Sequence, residues 1–588
     1  MRYNQIDVGR SKSERTARLK KIRRLAGLAG LVATMSAFGA EQTASAPEPS
    51  RVVVYPSAQT IPARGKLPPG ASNEIVMNSA IGGHDGAWIV VKGADNISAQ
   101  LSETNDGAPS LNIDFGHFVK FGAEKVPDAL IPWDGSSINT EEQNQPIYIE
   151  AEVPYGTKPG VYEEIITVEA DGTETEIPID IRVFNTVLPK PNKATPNNPL
   201  TSFNVSPQTY INTAANMYEF EGNEQRQTAN NALYSFLAEH RISPGSWGFG
   251  EPRTTSGYSE SNKWWQNSAQ NMLNEAGQDE PSFSAMRIPI SNNRTAPHHF
   301  IAGLDPAKPE TWCKYLGNVR SYWNSNGWLK NTVPYLYGQD EPGLEGQKLV
   351  ERQAEVTHKC FPESKVLLTG NPSPTGVTDF LANDVDIWSV LASRTYGLQR
   401  SATGVNRSNL YSEAIAKVRK QNKSVWSYTY NGPDIPGYKA TEPLSNPRMF
   451  MLWNALEDND GTLYTQGVTT YDNKNPLRSL ADGGEHVLLY PGQDVPIASA
   501  RLEQILYGLE DWAVLKTINQ RLGASAVRNI LGGSNLFSAD QRGVNLACRA
   551  GCELVDEKKF AWPKWSKDSS TAQKIANARL QALKVASK

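Results

Sequence analysis

Ten residues carry the strongest chemical signal in this chain: Pro334-Tyr-Leu-Tyr-Gly-Gln-Asp340-Glu341-Pro342-Gly343. Two adjacent carboxylates follow a short aromatic and apolar run and are closed off by a proline. The run Val333 to Tyr337 reads as a buried strand, and the Pro-Gly pair after it reads as a turn. Successive side chains of a regular strand point to opposite faces, so the two acids can share a site only if the chain leaves the strand there. Pro342 favours that exit, because it cannot donate to a ladder and keeps Glu341 out of helical geometry. Two acids at a strand mouth suit cleavage of a glycosidic bond: one neutral acid protonates the leaving oxygen and a second group stabilises the cation-like sugar. The competing use of the same residues is an N-capping Asp-Glu-Pro before a helix that starts near Leu344.

The elements that would position these acids fall into two patterns. Residues 51–187 read as all-β: Ile147, Ile149, Ala151 and Val153 alternate with polar neighbours, as do Ile166, Val168 and Ala170. A hairpin signal, Asp171-Gly172, precedes Ile177, Ile179, Ile181 and Val183, which continue the period of two. This predicts a β-sandwich. Its strands carry few exposed aromatics, which predicts a support for the larger C-terminal region rather than a detachable binding module. A Pro/Asn-rich linker occupies 188–199.

From residue 200 to 520 short apolar runs alternate with helical periodicity. The runs are Leu200 to Val205, Val333 to Tyr337, Val366 to Thr369, Val385 to Val390, Ser424 to Tyr430 and Gly461 to Tyr464. The helical stretches are Arg226 to His240, Pro309 to Asn326, Leu344 to Cys360, Leu410 to Gln421 and Ala498 to Ile518. Such alternation predicts an α/β fold with parallel strands, a (β/α)8 barrel, whose chemistry sits at the C-terminal strand ends. Those ends carry Tyr337, Asp340, Glu341, Trp388, Trp426, Tyr428, Tyr430 and Tyr464, which read as acids and sugar-facing aromatics. Residues 521–588 form a C-terminal extension with a terminal amphipathic helix from Thr571 to Val585.

Composition limits the partners. At 588 residues the chain exceeds one ordinary core. Residues 1–24 hold nine Lys/Arg and precede a short apolar, small-residue stretch from Leu25 to Ala40. That order describes a signal peptide over 1–39 and predicts a secreted or periplasmic protein; an uncleaved N-terminal membrane anchor is the alternative. No cysteine follows the apolar stretch, which excludes a lipoprotein anchor. Removing 1–39 takes away nine positive and two negative charges and moves the formal net charge from −4 to −11. An acidic exported chain lacks the basic stripe that nucleic acid needs. The even set Cys313, Cys360, Cys548 and Cys552 predicts two local bridges, Cys313–Cys360 and Cys548–Cys552. Zinc is the weaker use, since Cys548 and Cys552 have no histidine nearby. His298, His299 and His358 have no acid at metal-ligand spacing and read as solvated loop histidines. No cofactor is expected: neither a His-Glu-x-x-His helix nor a phosphate-cradling Gly-rich loop occurs.

In their order and spacing several motifs resemble the catalytic domain of glycoside hydrolase family 123. They are Tyr335-Leu-Tyr-Gly-Gln-Asp340-Glu341-Pro342, Val385-Asp-Ile-Trp388, Val425-Trp-Ser-Tyr428 with Asn431-Gly-Pro433, Arg448 with Trp453, Gly461-Thr-Leu-Tyr464, Leu489-Tyr-Pro-Gly492 and Arg501 to Asp511. Pro146 to Val183 is similar to the β-sandwich before such barrels. The resemblance implies retaining cleavage of β-linked N-acetylgalactosamine, with the substrate's own acetamido oxygen as nucleophile. It implies Glu341 as general acid and then base, Asp340 as partner of the acetamido N–H, and Tyr428, Asn431 and Trp453 around that group. The partner implied is an oligosaccharide or polysaccharide; the alternatives are a glycoside hydrolase acting on a sugar without an acetamido group and a non-catalytic carbohydrate-binding protein. Two positions depart from the pattern. Thr465 stands where relatives usually carry a second Trp, and Leu506-Tyr507 stands where they carry Arg-Asp. The acids Glu503, Glu510 and Asp511, with Arg501, read as structural ion pairs on a long helix.

Overall fold

A computed structural model describes residues 51–102, 107–191, 193–245, 283–288, 309–370, 381–392, 407–429, 437–464, 467–471, 474–534, 536 and 570–588. The leader over 1–39, Tyr430, Asn431, His298, His299, Thr465, Cys548 and Cys552 lie outside them.

The alternation in the N-terminal third folds into two packed sheets. One runs Val52–Pro56, His84–Lys92, Asn144–Glu152, Ser110–Phe121, with Glu124–Pro132 also paired to the last. The other runs Ile75–Ile81, Thr173–Val187, Gly160–Ala170, Asn96–Leu101, Ile138–Asn139. Ile166, Val168, Ile179 and Ile181 all point into the space between the sheets and are buried. Asp171 and Gly172 take φ of 48° and 80°, the paired left-handed residues of a tight hairpin, and Thr173 opposes Ala170. The segment 188–199 is packed rather than loose, with Asn198 Nδ2 donating to the carbonyls of Lys190 and Lys193 at 3.2 and 2.7 Å.

The second half is a parallel barrel. Seven strands lie in the order Leu200–Phe203, Gly461–Tyr464, Ser424–Tyr428, Ile387–Leu391, Lys365–Thr369, Val333–Leu336, Ala285–Arg287. An eighth stave, around residues 242–245, closes the ring by a single parallel bridge from Phe203 to Pro244. Ser243 completes that contact, its carbonyl accepting from Phe203 N at 3.0 Å and its hydroxyl from Ala285 N at 3.3 Å. Pro244 has no N–H to extend a ladder. This stave and the three-residue strand Ala285–Arg287 are the two that periodicity misses; both are too short to show a period.

Outside the ring, helices Pro309–Ser325, Leu344–Cys360, Arg407–Lys420 and Asn446–Leu456 follow their strands. His358 is no loop histidine: it stands in the last turn of Leu344–Cys360 and its Nε2 meets Asp386 Oδ2 at 2.8 Å. Lys423 also pairs with Asp386, and these partners lower the Asp386 pKa to about 2 against the raising effect of burial. A disulfide joins Cys313 to Cys360 across two neighbouring helices, with Cα atoms 5.2 Å apart.

The helix Ala500–Leu522 is buried along most of its length and lies between barrel and sandwich. Ser499 caps it by accepting from Leu502 N. Leu506 and Tyr507 pack on Trp88 and Tyr148 of the first sheet. Several charges of the helix are paired, two of them across the seam. Arg501 holds Asp128, Glu510 holds His84, and Asp511 holds both Arg448 and Arg579. Arg579 comes from the terminal helix Thr571–Ala586 and also donates to the carbonyls of Asn78 and His84. The first sheet takes its last strand, Ser479–Leu480, from beyond the barrel.

Burial alone would lower the His84 pKa, but Glu510, with Glu150 and Glu152, raises it to about 9. Burial would raise Glu510, and His84, Arg241 and Arg579 instead bring it to about 2. A raised histidine stabilises fully below its unfolded value of 6.5 and loses that contribution as pH climbs to about 9. The depressed Glu510 contributes above its unfolded value of 4.5 and loses it as pH falls toward 2. Denaturant midpoints should therefore fall between pH 7 and about 9, and His84→Gln should flatten that slope. The disulfide gives a second test. Peptides from unreduced protein should carry the Cys313–Cys360 link, and Cys313→Ser should lower stability by about 3–4 kcal/mol for a closed loop of 47 residues.

Candidate active site

The strand Val333–Leu336 ends before the acids, and Tyr337 to Gly343 form a turn into the helix Leu344–Cys360. Two glycines let this turn lie on the helix. A Cβ at Gly338 would stand 2.4 Å from Gln353, and one at Gly346 would stand 2.6 Å from Pro342. The helix N-cap is Gly343, with no side-chain cap. The N-cap position is thus occupied by neither acid.

Within the turn Glu341 has φ of 41°. A left-handed conformation in a non-glycine residue costs roughly 1–2 kcal/mol and persists only where its surroundings hold it. It solves the geometric problem of adjacent acids, since neither residue now lies in a regular strand. Both carboxylates are half-buried at the C-terminal end of the barrel. Asp340 Oδ1 accepts from Tyr337 Oη at 2.8 Å and from Thr369 Oγ1 at 3.0 Å. Glu341 Oε1 accepts from Tyr428 Oη, and Glu341 N donates to Thr369 Oγ1 at 3.0 Å. The two acids thus have separate tyrosine partners and one shared threonine. The Arg287 guanidinium lies 5.1 Å from the Tyr337 ring centroid and donates to the Tyr337 carbonyl, fixing the ring from the neighbouring strand.

Of the aromatics read as sugar-facing, Tyr337 and Tyr428 reach the acids. Four others pack away from them. Trp388 is on the outer face of its strand, packed with Val350, Ala354 and Val418 between barrel and helices. Trp426 points inward but below the mouth, edge-on to Tyr335 at 5.6 Å and fully buried. A Cβ at Gly461 would strike its ring at 2.7 Å, so glycine there is the space Trp426 fills. Trp453 is buried on its helix and stacks on Phe450 at 5.7 Å. Tyr464 is buried between Phe203 and Tyr438 and donates to the Glu485 carbonyl at 2.6 Å. In each case a large ring satisfies packing, and for the three on strands alternation decides the face. Sequence reasoning missed Thr369 and Arg287. The signal for Thr369 was a polar residue ending an apolar run just before glycine.

Among the described residues no group of three or more His, Cys, Asp or Glu could hold a metal ion, and no helix is long and apolar enough to cross a membrane.

A (β/α)8 barrel that brings two carboxylates to its mouth after the fourth strand, behind a β-sandwich, is an arrangement suited to glycosidic-bond cleavage. Residues 264–518 match the family model described as glycoside hydrolase 123, catalytic domain, which supports a glycoside hydrolase. Among solved structures, a family 123 glycoside hydrolase from Clostridium perfringens aligns with a TM-score of 0.61 at 15% identity. That match covers 91% of this chain and 98% of that one, and extends the shared fold over the sandwich. A β-glucuronidase from Parabacteroides merdae aligns at 10% identity and a TM-score of 0.25, covering 73% and 50% of the two chains. A GH10 xylanase with a bacterial Ig-like domain, from termite gut, aligns at 9% identity and a TM-score of 0.30, covering 74% and 99%. No curated protein matches.

The placement of Trp388 gives a test. Trp388→Ala should lower stability by roughly 3–5 kcal/mol, the range for truncating a buried large aromatic, while KM of the folded fraction stays at the wild-type value. Thermal melts beside Michaelis kinetics separate the two effects.

Proposed function

We propose that the protein is an exported retaining glycosidase acting on β-linked N-acetylhexosamine of the N-acetylgalactosamine type, by substrate-assisted catalysis. The observation that carries this reading is the left-handed turn at Glu341, which puts both acids on one short segment. Acids so placed reach a sugar from the same side, whereas a carboxylate nucleophile must stand across the ring from the acid. A nucleophile within the substrate removes that requirement.

In this mechanism Glu341 gives its proton to the glycosidic oxygen as the C1–O bond breaks. The acetamido carbonyl oxygen forms a bond to C1 from the other face, leaving a cyclic oxazolinium. Asp340, held by Tyr337 and Thr369, accepts the acetamido N–H and balances the positive charge. Glu341, now a carboxylate, takes a proton from water as that water attacks C1 and reopens the ring, so configuration is retained. The Tyr428 hydroxyl on Glu341 Oε1 orients the acid through both steps. The Clostridium perfringens enzyme is described in terms of glycolipid glycan hydrolysis, which supports a glycan substrate for this chain too. The basic and apolar leader supports export. The departures at Leu506 and Tyr507 bear on support rather than on the sugar pocket, since both pack against the sandwich.

A screen of aryl glycosides and hexosamine-containing polysaccharides tests the proposal. Glu341→Gln should lower the rate on a substrate with a poor leaving group by about 10²–10⁴-fold, and far less on an activated aryl glycoside. Asp340→Asn should lose on the order of 2–4 kcal/mol of transition-state stabilisation on acetamido sugars. A thiazoline analogue of the cyclic intermediate should inhibit wild type. Hydrolysis of a sugar lacking the acetamido group, untouched by thiazoline, would overturn substrate assistance.

A further inference from the structure

We propose that Thr369 is a positioning residue of this site, one hydroxyl that sets the backbone of Glu341 and the carboxylate of Asp340 together. Thr369 ends the strand Lys365–Thr369, beside the strand that leads to the acids, and is 1% exposed. Its Oγ1 lies 3.0 Å from each of three atoms: Glu341 N, Asp340 Oδ1 and Tyr337 Oη.

Proton counting fixes what each contact does. The Glu341 N–H can only donate, so Oγ1 accepts there. An ionised Asp340 can only accept, and the hydroxyls of Thr369 and Tyr337 bring one proton each. The arrangement that gives the carboxylate most donors sends both protons to Oδ1, leaving the Thr369 lone pairs to the Glu341 amide. The Tyr337–Thr369 contact at 3.0 Å then keeps two donors side by side on one oxygen. Thr369 therefore works on both acids through different atoms: through its proton on Asp340, and through its lone pair on Glu341.

The second action matters because Glu341 is the strained residue of the turn, with φ of 41°. Its amide bond to Thr369 ties that left-handed backbone to a barrel strand rather than to the loop itself. Gly370, at φ of 132°, turns the chain away directly after the threonine; a Cβ there would lie 4.0 Å from Glu341 Cα, in ordinary contact. Without the hydroxyl the amide loses its acceptor, and the Glu341 carboxyl is free to drift from the glycosidic oxygen. A displacement of about 1 Å in such a group can lower a rate roughly 10²-fold.

This inference rests on the roles given above to Glu341 and Asp340, and the test separates the two. Thr369→Val keeps the shape and removes the hydroxyl; Thr369→Ser keeps the hydroxyl. With the full-length protein, Thr369→Val should lower kcat on a poor-leaving-group substrate by about 10–10²-fold, change KM less, and lose much less on an activated aryl glycoside. It should also weaken thiazoline inhibition, and Thr369→Ser should restore both to within a few-fold of wild type. Tyr337→Phe removes one Asp340 donor but leaves the Glu341 amide bond, so it should weaken thiazoline inhibition without steepening the leaving-group dependence. An equal loss on every substrate with unchanged thiazoline inhibition would mark Thr369 as merely structural and overturn the proposal. So would wild-type kinetics in Thr369→Val, or a Thr369→Ser protein as impaired as Glu341→Gln. Should Thr369→Val not fold, the Ser and Phe variants decide alone: a steepened leaving-group dependence in Tyr337→Phe refutes the division of labour. A wild type indifferent to thiazoline counts against the acetamido reading and leaves the leaving-group comparison to judge Thr369.

Discussion

One guanidinium holds the two halves of this molecule in register. Arg501 is fully buried at the start of the helix Ala500–Leu522 and uses all five of its N–H donors. Nε and one Nη2 proton grip Asp128 of the sandwich at 2.8 and 2.7 Å. The other donors reach the carbonyls of Tyr438, Gly484 and Val487, which belong to the segments after the last barrel strands. Removing one partner of such a buried pair typically destabilises by about 3–5 kcal/mol, because the other charge stays behind in a dry site. The contact explains why the sandwich belongs with the barrel. Its strand supplies the counter-charge that a buried arginine requires, and the arginine in turn ties down backbone around the mouth.

Much of this was legible in the sequence where a period or a turn chemistry was strong. The hairpin at Asp171-Gly172 and the alternation in Ile177 to Val183 read directly as a two-faced sheet, and six barrel strands showed as apolar runs. Glycoside hydrolase chemistry was suggested by Asp340 and Glu341 only once the strand–helix alternation put them at a strand end and the order of the other motifs pointed to the family. What stayed hidden had a common cause. A single chain position says little about which face a side chain takes when both faces are buried, so Trp388, Trp426, Trp453 and Tyr464 read alike although packing sends them to different layers. Ala285–Arg287 and the stave near Ser243 are too short to carry a pattern, and Thr369 matters through contacts to residues about 30 positions away.

The site itself is a study in how neutral groups arrange charged ones. Tyr337, Tyr428 and Thr369 approach from three different strand ends, and each is fixed by the barrel's own packing rather than by a loop. The strain at Glu341 is spread onto that rigid frame. The turn that carries both acids needs little room of its own, because glycines at 338 and 346 let it lie directly on the following helix.

The terminal helix has a consequence for the order of synthesis. Arg579 donates to the carbonyls of Asn78 and His84, about 500 residues earlier, and the strand Ser479–Leu480 completes a sheet begun at Val52. A sheet begun early in the chain is thus completed only by residues made hundreds of positions later. Until Ser479–Leu480 and Arg579 arrive, the end of Ser110–Phe121 at Lys120 and Phe121 and the carbonyls of Asn78 and His84 lack these partners. Contacts of such long sequence separation slow folding, and the nascent sandwich stays part-built and adhesive until they form.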